Sequence, residues 1–158
     1  MKFVSNSTPL IALSKINRLD ILECLCENLL IPEEVYDEVV TRGGLLFGAE
    51  DVRSASWISV VPARNKTAVD ALYLNIDRGE AEAIVLATEE DALLIIDDKE
   101  GRNAALAVNL QITGTIGILL MAAEGGLINF REDFRALREA GFRISEKEYR
   151  KILDLSEF

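Results

Sequence analysis

Apolar and polar positions follow two regimes along this chain: short uninterrupted apolar runs, and longer stretches in which apolar residues recur every third or fourth position. The first regime marks strands buried on both faces, the second helices with one face turned to a core. Lys2-Phe-Val-Ser, Leu29-Leu-Ile, Trp57-Ile-Ser-Val-Val, Ala92-Leu-Leu-Ile-Ile and Leu110-Gln-Ile read as five strands. Between them, helices are expected after Asn6-Ser-Thr-Pro, over 18–25, from Pro32-Glu-Glu with Val35 and Val39 on one face, over 48–53, over 68–75 and from Asp77 or Gly79. Further helices are expected over 101–108, over Ile116 to Ala123 up to Gly125-Gly126, over 130–140 and over 146–155. Strands alternating with helices predict an α/β three-layer domain with a mainly parallel sheet. Right-handed crossovers bring the strand C-terminal ends to one edge, where ligands bind. No repeat, linker or low-complexity stretch interrupts the pattern, so one domain is expected over residues 1–158.

Composition narrows the chemistry. With 158 residues the chain is long enough to bury about two-thirds of its unfolded surface in one core. Hydrophobic content is 49%, yet no apolar run approaches the ~18 residues of a membrane span. Met1-Lys-Phe-Val leads straight into a strand with no secretory pattern, so a cytoplasmic protein without membrane association is expected. Histidine is absent, which removes His triads, His bases and ordinary zinc sites. Cys24 and Cys26 lie two apart in a helical pattern with no further thiolate or imidazole ligands nearby, and are expected as buried thiols. The net charge of −10 opposes nonspecific nucleic-acid binding and suits a basic partner.

Acidic side chains gather where the topology predicts a site. Asp77-Arg-Gly-Glu-Ala-Glu opens a helix, and the strand Leu93 to Ile96 runs into Asp97-Asp98. Asn6 follows the first strand, Thr113 to Thr115 the fifth, and Glu38 the second by way of a helix. Hard oxygen donors from scattered elements suit Mg²⁺ or Mn²⁺, which orients a phosphate and activates water without histidine. A structural reading competes: first-turn glutamates stabilise a helix dipole by ~0.3–1 kcal/mol, and aspartates after strands cap helices. Residues two apart on a helix point roughly 160–200° from each other. Glu80 and Glu82 are thus unequal, and Glu82, properly helical, is the stronger ligand candidate.

Val4-Ser-Asn-Ser-Thr-Pro-Leu-Ile-Ala-Leu, Leu30-Ile-Pro-Glu-Glu-Val-Tyr-Asp-Glu-Val-Val, Gly79-Glu-Ala-Glu-Ala-Ile-Val-Leu-Ala, Leu94-Ile-Ile-Asp-Asp-Lys and Thr113-Gly-Thr-Ile-Gly-Ile-Leu-Leu occur in that order. Together they resemble the PIN-domain family, in its branch of uncharacterised predicted nucleic-acid-binding proteins related to VapC-type toxins. The resemblance implies a five-stranded parallel sheet of order 3-2-1-4-5 and an Mg²⁺- or Mn²⁺-dependent endoribonuclease. It assigns Asp98, Glu82 and Glu38 as catalytic and metal-binding carboxylates, with Asp97 and Glu80 as alternates one step off in alignment, joined by Asn6 where the family has an aspartate. Asn6 offers a carbonyl oxygen without charge, and Asp97 is the expected compensation. Ser7, Glu80, Lys99, Arg102, Thr113 and Thr115 are expected on the substrate side. The resemblance further implies RNA as substrate, a small basic antitoxin-like partner and a homodimer. Leu10, Ile11, the 19–25 helix and the C-terminal helices are the apolar surface expected for such partners. A catalytically degenerate binding module is the alternative. An aspartyl-phosphate domain is the third, but no lysine follows the fifth strand to complete it.

Overall fold

The computed structural model describes residues 1–156. Five short strands, β1 (Phe3–Ser5), β2 (Leu29–Ile31), β3 (Ile58–Val60), β4 (Leu93–Ile95) and β5 (Ile112–Thr113), form one parallel sheet of order 3-2-1-4-5. Phe3 pairs with Leu29 and Leu93, and Val4 with Leu30 and Leu94, so β1 lies at the centre of the sheet. Central strands have no solvent face, which is why their sequences read as continuous apolar runs.

Strand alternation divides the core in two. Phe3, Leu29, Ile31 and Ile95 face one layer, against α1 (Ser7–Lys15), α2 (Asp20–Leu25), α8 (Thr115–Glu124) and α9 (Phe130–Glu139). Val4, Leu30 and Leu94 face the other, against α6 (Arg78–Glu90) and α7 (Lys99–Ala107). The remaining helices are α3 (Glu33–Tyr36), α4 (Ala49–Arg53), α5 (Lys66–Tyr73) and α10 (Glu146–Leu155). No helix among the described residues is long and apolar enough to cross a membrane.

Several local expectations change. The helix opening at Pro32 does not continue as α: α3 passes into a π-helical turn over Asp37–Thr41. Cys26 is buried, its thiol pushed up to about 12 by desolvation, whereas Cys24 is exposed. The two positions lie on different sides of the chain, so one of the expected buried thiols is a surface thiol. Leu10, Leu19, Ile21 and Leu22 are core residues, because α1 and α2 pack under α8 and α9. They offer no apolar surface for a partner; the exposed large apolar side chains include Leu45, Leu46 and Phe47, in the loop before α4.

The C-terminal helices are joined by aromatic contacts. Phe134 lies between Phe130, at a ring-centroid distance of 5.0 Å, and Tyr149 of α10, at 4.5 Å. The Arg138 guanidinium sits 3.9 Å from the centre of the Tyr149 ring. Phe134 is fully buried, so Phe134→Ala is expected to cost about 3–5 kcal/mol of stability, read from the shift of the urea unfolding midpoint.

Candidate functional site

Each strand on the β1–β4 side of the sheet delivers a polar residue to its C-terminal edge. β1 ends in buried Asn6, whose amide donates to the Ile95 carbonyl at 3.0 Å and so ties the ends of β1 and β4 together. Ser7 follows at once, and its hydroxyl donates to Glu38 Oε2 at 2.9 Å. Glu38 belongs to the π-helical turn, a departure from α geometry that recurs at functional sites. Its other carboxylate oxygen lies against Gly79, where any Cβ would overlap it. Glycine at 79 is therefore what allows α6 and the Glu38 carboxylate to approach.

The opening of α6 supplies two more carboxylates. Asp77 caps the helix, accepting the Glu80 amide at 2.8 Å, and the Asp-x-x-Glu spacing sets both acidic side chains in one turn. Glu80 is only 6% exposed and reaches beneath the first turn of α7. A Cβ on Gly101 would lie 2.8 Å from Glu80 Oε2 and 2.6 Å from Ile96 Cδ1, so this glycine too leaves space for a carboxylate. Asp98 caps α7, accepting the Gly101 amide at 3.0 Å, and its charge acts on Glu80.

Electrostatics records the crowding. Burial pushes the Glu80 carboxyl up to about 8, reinforced by its contact with Asp77 and by the charges of Asp77, Asp98 and Glu38. Glu38 is also raised, by burial first and then by Asp77 and Glu34, against the lowering effects of the Ser7 hydroxyl and Arg42. Among the described residues no basic side chain forms a salt bridge with Glu38, Asp77, Glu80 or Asp98.

The other expected site residues have different surroundings. Glu82 accepts the Glu34 amide at 3.2 Å and pairs with Arg78 at 3.1 Å, so it joins α6 to the start of α3. Both Asp97 oxygens are committed to Thr115, one to its amide at 2.8 Å and one to its hydroxyl at 2.6 Å. Burial raises the Asp97 carboxyl, while the Thr115 bonds and Arg102 pull it down. Arg102 donates to the Ile96 carbonyl at 2.8 Å. Asp97, Asp98, Lys99, Arg102 and Thr113 line part of one cleft of about 840 Å³. The geometry thus gathers Glu38, Asp77, Glu80 and Asp98, with Asn6 and Ser7 at the same edge, and leaves Glu82 and Asp97 in structural bonds. Asp77 entered the sequence reading only as a cap; the acidic residue three positions later was the signal of a close carboxylate pair.

The donor set is entirely hard oxygen, buried at Glu80 and without a salt-bridged base, which is the donor chemistry a divalent cation such as Mg²⁺ or Mn²⁺ takes. Among the described residues no group of three or more acidic or thiol side chains is placed to hold a metal ion.

A parallel sheet of this order with helices on both faces and acidic residues at its C-terminal edge defines a PIN-like α/β/α fold. The family model described as PIN domain (DUF3368) matches residues 2–157, and the chain belongs to the PIN-domain family. The family has a nuclease-like fold, and its members are typically dependent on divalent metals. A PilT N-terminus domain protein from the archaeon Sulfolobus solfataricus is similar at 19% identity and a TM-score of 0.47, over 92% of this chain and 98% of that one. No curated protein matches the sequence.

Glu80 makes stability depend on pH in the metal-free protein. Its carboxyl titrates near 4.5 when unfolded and near 8 when folded, so between these values the folded state holds the extra proton. Stability contributed at low pH is lost as pH rises through that window. In the presence of a chelator, Glu80→Gln is expected to be more stable than the parent at pH 9 by about 1–3 kcal/mol, the gap closing towards pH 5. Denaturant unfolding at both pH values checks this; a gap that does not change with pH contradicts it.

Proposed function

We propose that this chain is an Mg²⁺- or Mn²⁺-dependent endoribonuclease that hydrolyses RNA phosphodiesters at the Glu38, Asp77, Glu80 and Asp98 cluster. One observation carries the reading: four carboxylates crowd a partly buried edge with no salt-bridged base among them, so like-charge repulsion is left for a cation to relieve. Glu80 and Asp98 are the core donors, with Glu38 and Asp77 beside them and the Asn6 carbonyl oxygen in reserve. Bound there, a divalent cation would supply electrophilic activation of the phosphate and of the attacking water.

The chain's own residues do the positioning. Ser7 fixes the Glu38 carboxylate through its 2.9 Å bond. Asp97, through Thr115, fastens the end of β4 to the start of α8 and so holds the adjacent Asp98 in place. The missing charge at Asn6 is made up by Asp77 rather than by Asp97, whose oxygens are already bonded. Lys99 and Arg102, which line the cleft beside Asp98, would face the phosphate of a bound strand. A small basic protein, as in a toxin–antitoxin pair, is the partner whose charge complements a surface of net −10.

Cleavage of single-stranded RNA with Mn²⁺ tests the assignment. Glu80→Gln and Asp98→Asn are expected to lower the rate by more than about 100-fold, beyond the 10–100-fold typical of groups behind the ligands. Glu82→Gln is expected to lose stability through Arg78 and the Glu34 amide while changing the rate by less than about 10-fold. Wild-type rates in Glu80→Gln would remove the cluster from the chemistry. Absence of any metal-dependent cleavage by the parent would leave the binding-module reading, for which uncharged Asn6 is the structural reason.

A further inference from the structure

The side chain of Asn6 has no task in the fold. Asn6 is the N-cap of α1 and has the extended backbone of that position, yet its side chain accepts no amide from the first turn. An N-cap side chain takes the amide of the second or third helical residue, and the third here is Pro9, which has no N–H. Only 5% of Asn6 is exposed, and its carboxamide has no hydrogen-bond partner. The nearby carboxylates leave it free: Glu38 is bonded to Ser7, and Glu80 to Asp77. Among the described residues the only unpartnered side-chain polar atom sealed from solvent is Ser14 Oγ, so the oxygen and nitrogen of the Asn6 amide both open to solvent at the sheet edge. A nearly buried carboxamide with two donors and an acceptor unused costs free energy that a ligand recovers.

The helix that Asn6 caps adds further donors. α1 has nine residues, and the amides of Ser7 and Thr8, its first two, meet no acceptor. Aligned peptide dipoles place partial positive charge at this end. Unclaimed N–H groups of a side chain and of a helix start, side by side, favour an oxygen that carries negative charge. An aspartate in place of Asn6 would hold a cation, but it has no N–H and would repel an anion. Asn6 keeps an oxygen for the cation and adds a nitrogen for the anion. The neighbouring carboxylates oppose an anion until a divalent cation offsets their charge, so the two ligands bind together.

We propose that the Asn6 carboxamide and the start of α1 seat a phosphoryl oxygen beside the acidic cluster. Asn6 is thereby a substrate-binding residue, and its missing charge is a requirement of the site rather than a lost metal ligand. The assignment rests on the metal-dependent nuclease reading for the cation that accompanies the phosphate.

Isothermal calorimetry on the whole chain tests it with Mg²⁺ as the first titrant. Inorganic phosphate or a thymidine dinucleotide phosphodiester is then titrated into the Mg²⁺-saturated protein. Asn6→Asp, which exchanges one NH₂ for one oxygen, is expected to move the two affinities in opposite directions. Mg²⁺ binds tighter by about 10-fold or more, while phosphate binds weaker by at least about 10-fold. Asn6→Ala is expected to change Mg²⁺ binding by less than about 10-fold and to weaken phosphate by roughly 10- to 150-fold, the loss of one hydrogen bond to a charged acceptor. Tighter binding of both ligands in Asn6→Asp, equal weakening of both, unchanged phosphate binding in Asn6→Ala, or no phosphate binding by the parent overturns the proposal. A matching loss for the dinucleotide supports the seat as one for an internal phosphodiester; loss confined to inorganic phosphate supports it as one for a free or terminal phosphate. RNA cleavage separates the two readings. Asn6-dependent phosphate binding without cleavage leaves this proposal standing and the nuclease reading refuted; cleavage with phosphate binding indifferent to Asn6→Ala does the reverse.

Discussion

Repulsion around one buried carboxylate, Glu80, from half-buried Glu38 and exposed Asp77 and Asp98 is the constraint around which this edge of the molecule is built. Glu80 is held under the first turn of α7 with Asp77, Asp98 and Glu38 acting on it, and its carboxyl is driven up to about 8 as a result. Such an arrangement is unfavourable by itself, since buried charge needs a partner. It persists because strong bonds elsewhere fix each acidic residue: caps for Asp77 and Asp98, and the Ser7 hydroxyl for Glu38. Glycines at 79 and 101 complete it by leaving no Cβ where the carboxylates lie.

The fold is legible in the sequence because the central strands are buried on both sides. Val4, Leu30 and Leu94 face one layer while Phe3, Leu29 and Ile95 face the other, and no residue in these runs can be polar without cost. Strand ends were less legible. β5 is Ile112–Thr113 rather than 110–112, because the run containing Gln111 is short and the sheet pairs Leu94 with Ile112.

The site is legible as an acidic edge but not residue by residue. Nine successive residues of α6, Gly79 to Ala87, are buried, so the helix has no polar face from which its rotation can be read. Without that phase, the 160–200° between Glu80 and Glu82 cannot be assigned to the sheet edge or to α3. Asp97 and Asp98 pose the same problem after β4: only the position of Thr115, set by the neighbouring strand, shows that Asp97 faces sideways and Asp98 caps forward. The π-helical turn carrying Glu38 has no sequence signature of its own.

The account stands on Glu80 being the ligand and on Glu82, equally buried but bonded to Arg78 and the Glu34 amide, being structural. Calorimetric titration of Mn²⁺ into the parent, Glu80→Gln and Glu82→Gln tests this most directly. The account predicts that Glu80→Gln loses binding by at least about 10-fold while Glu82→Gln stays within about 3-fold of the parent. Loss in Glu82→Gln with binding retained in Glu80→Gln would contradict it.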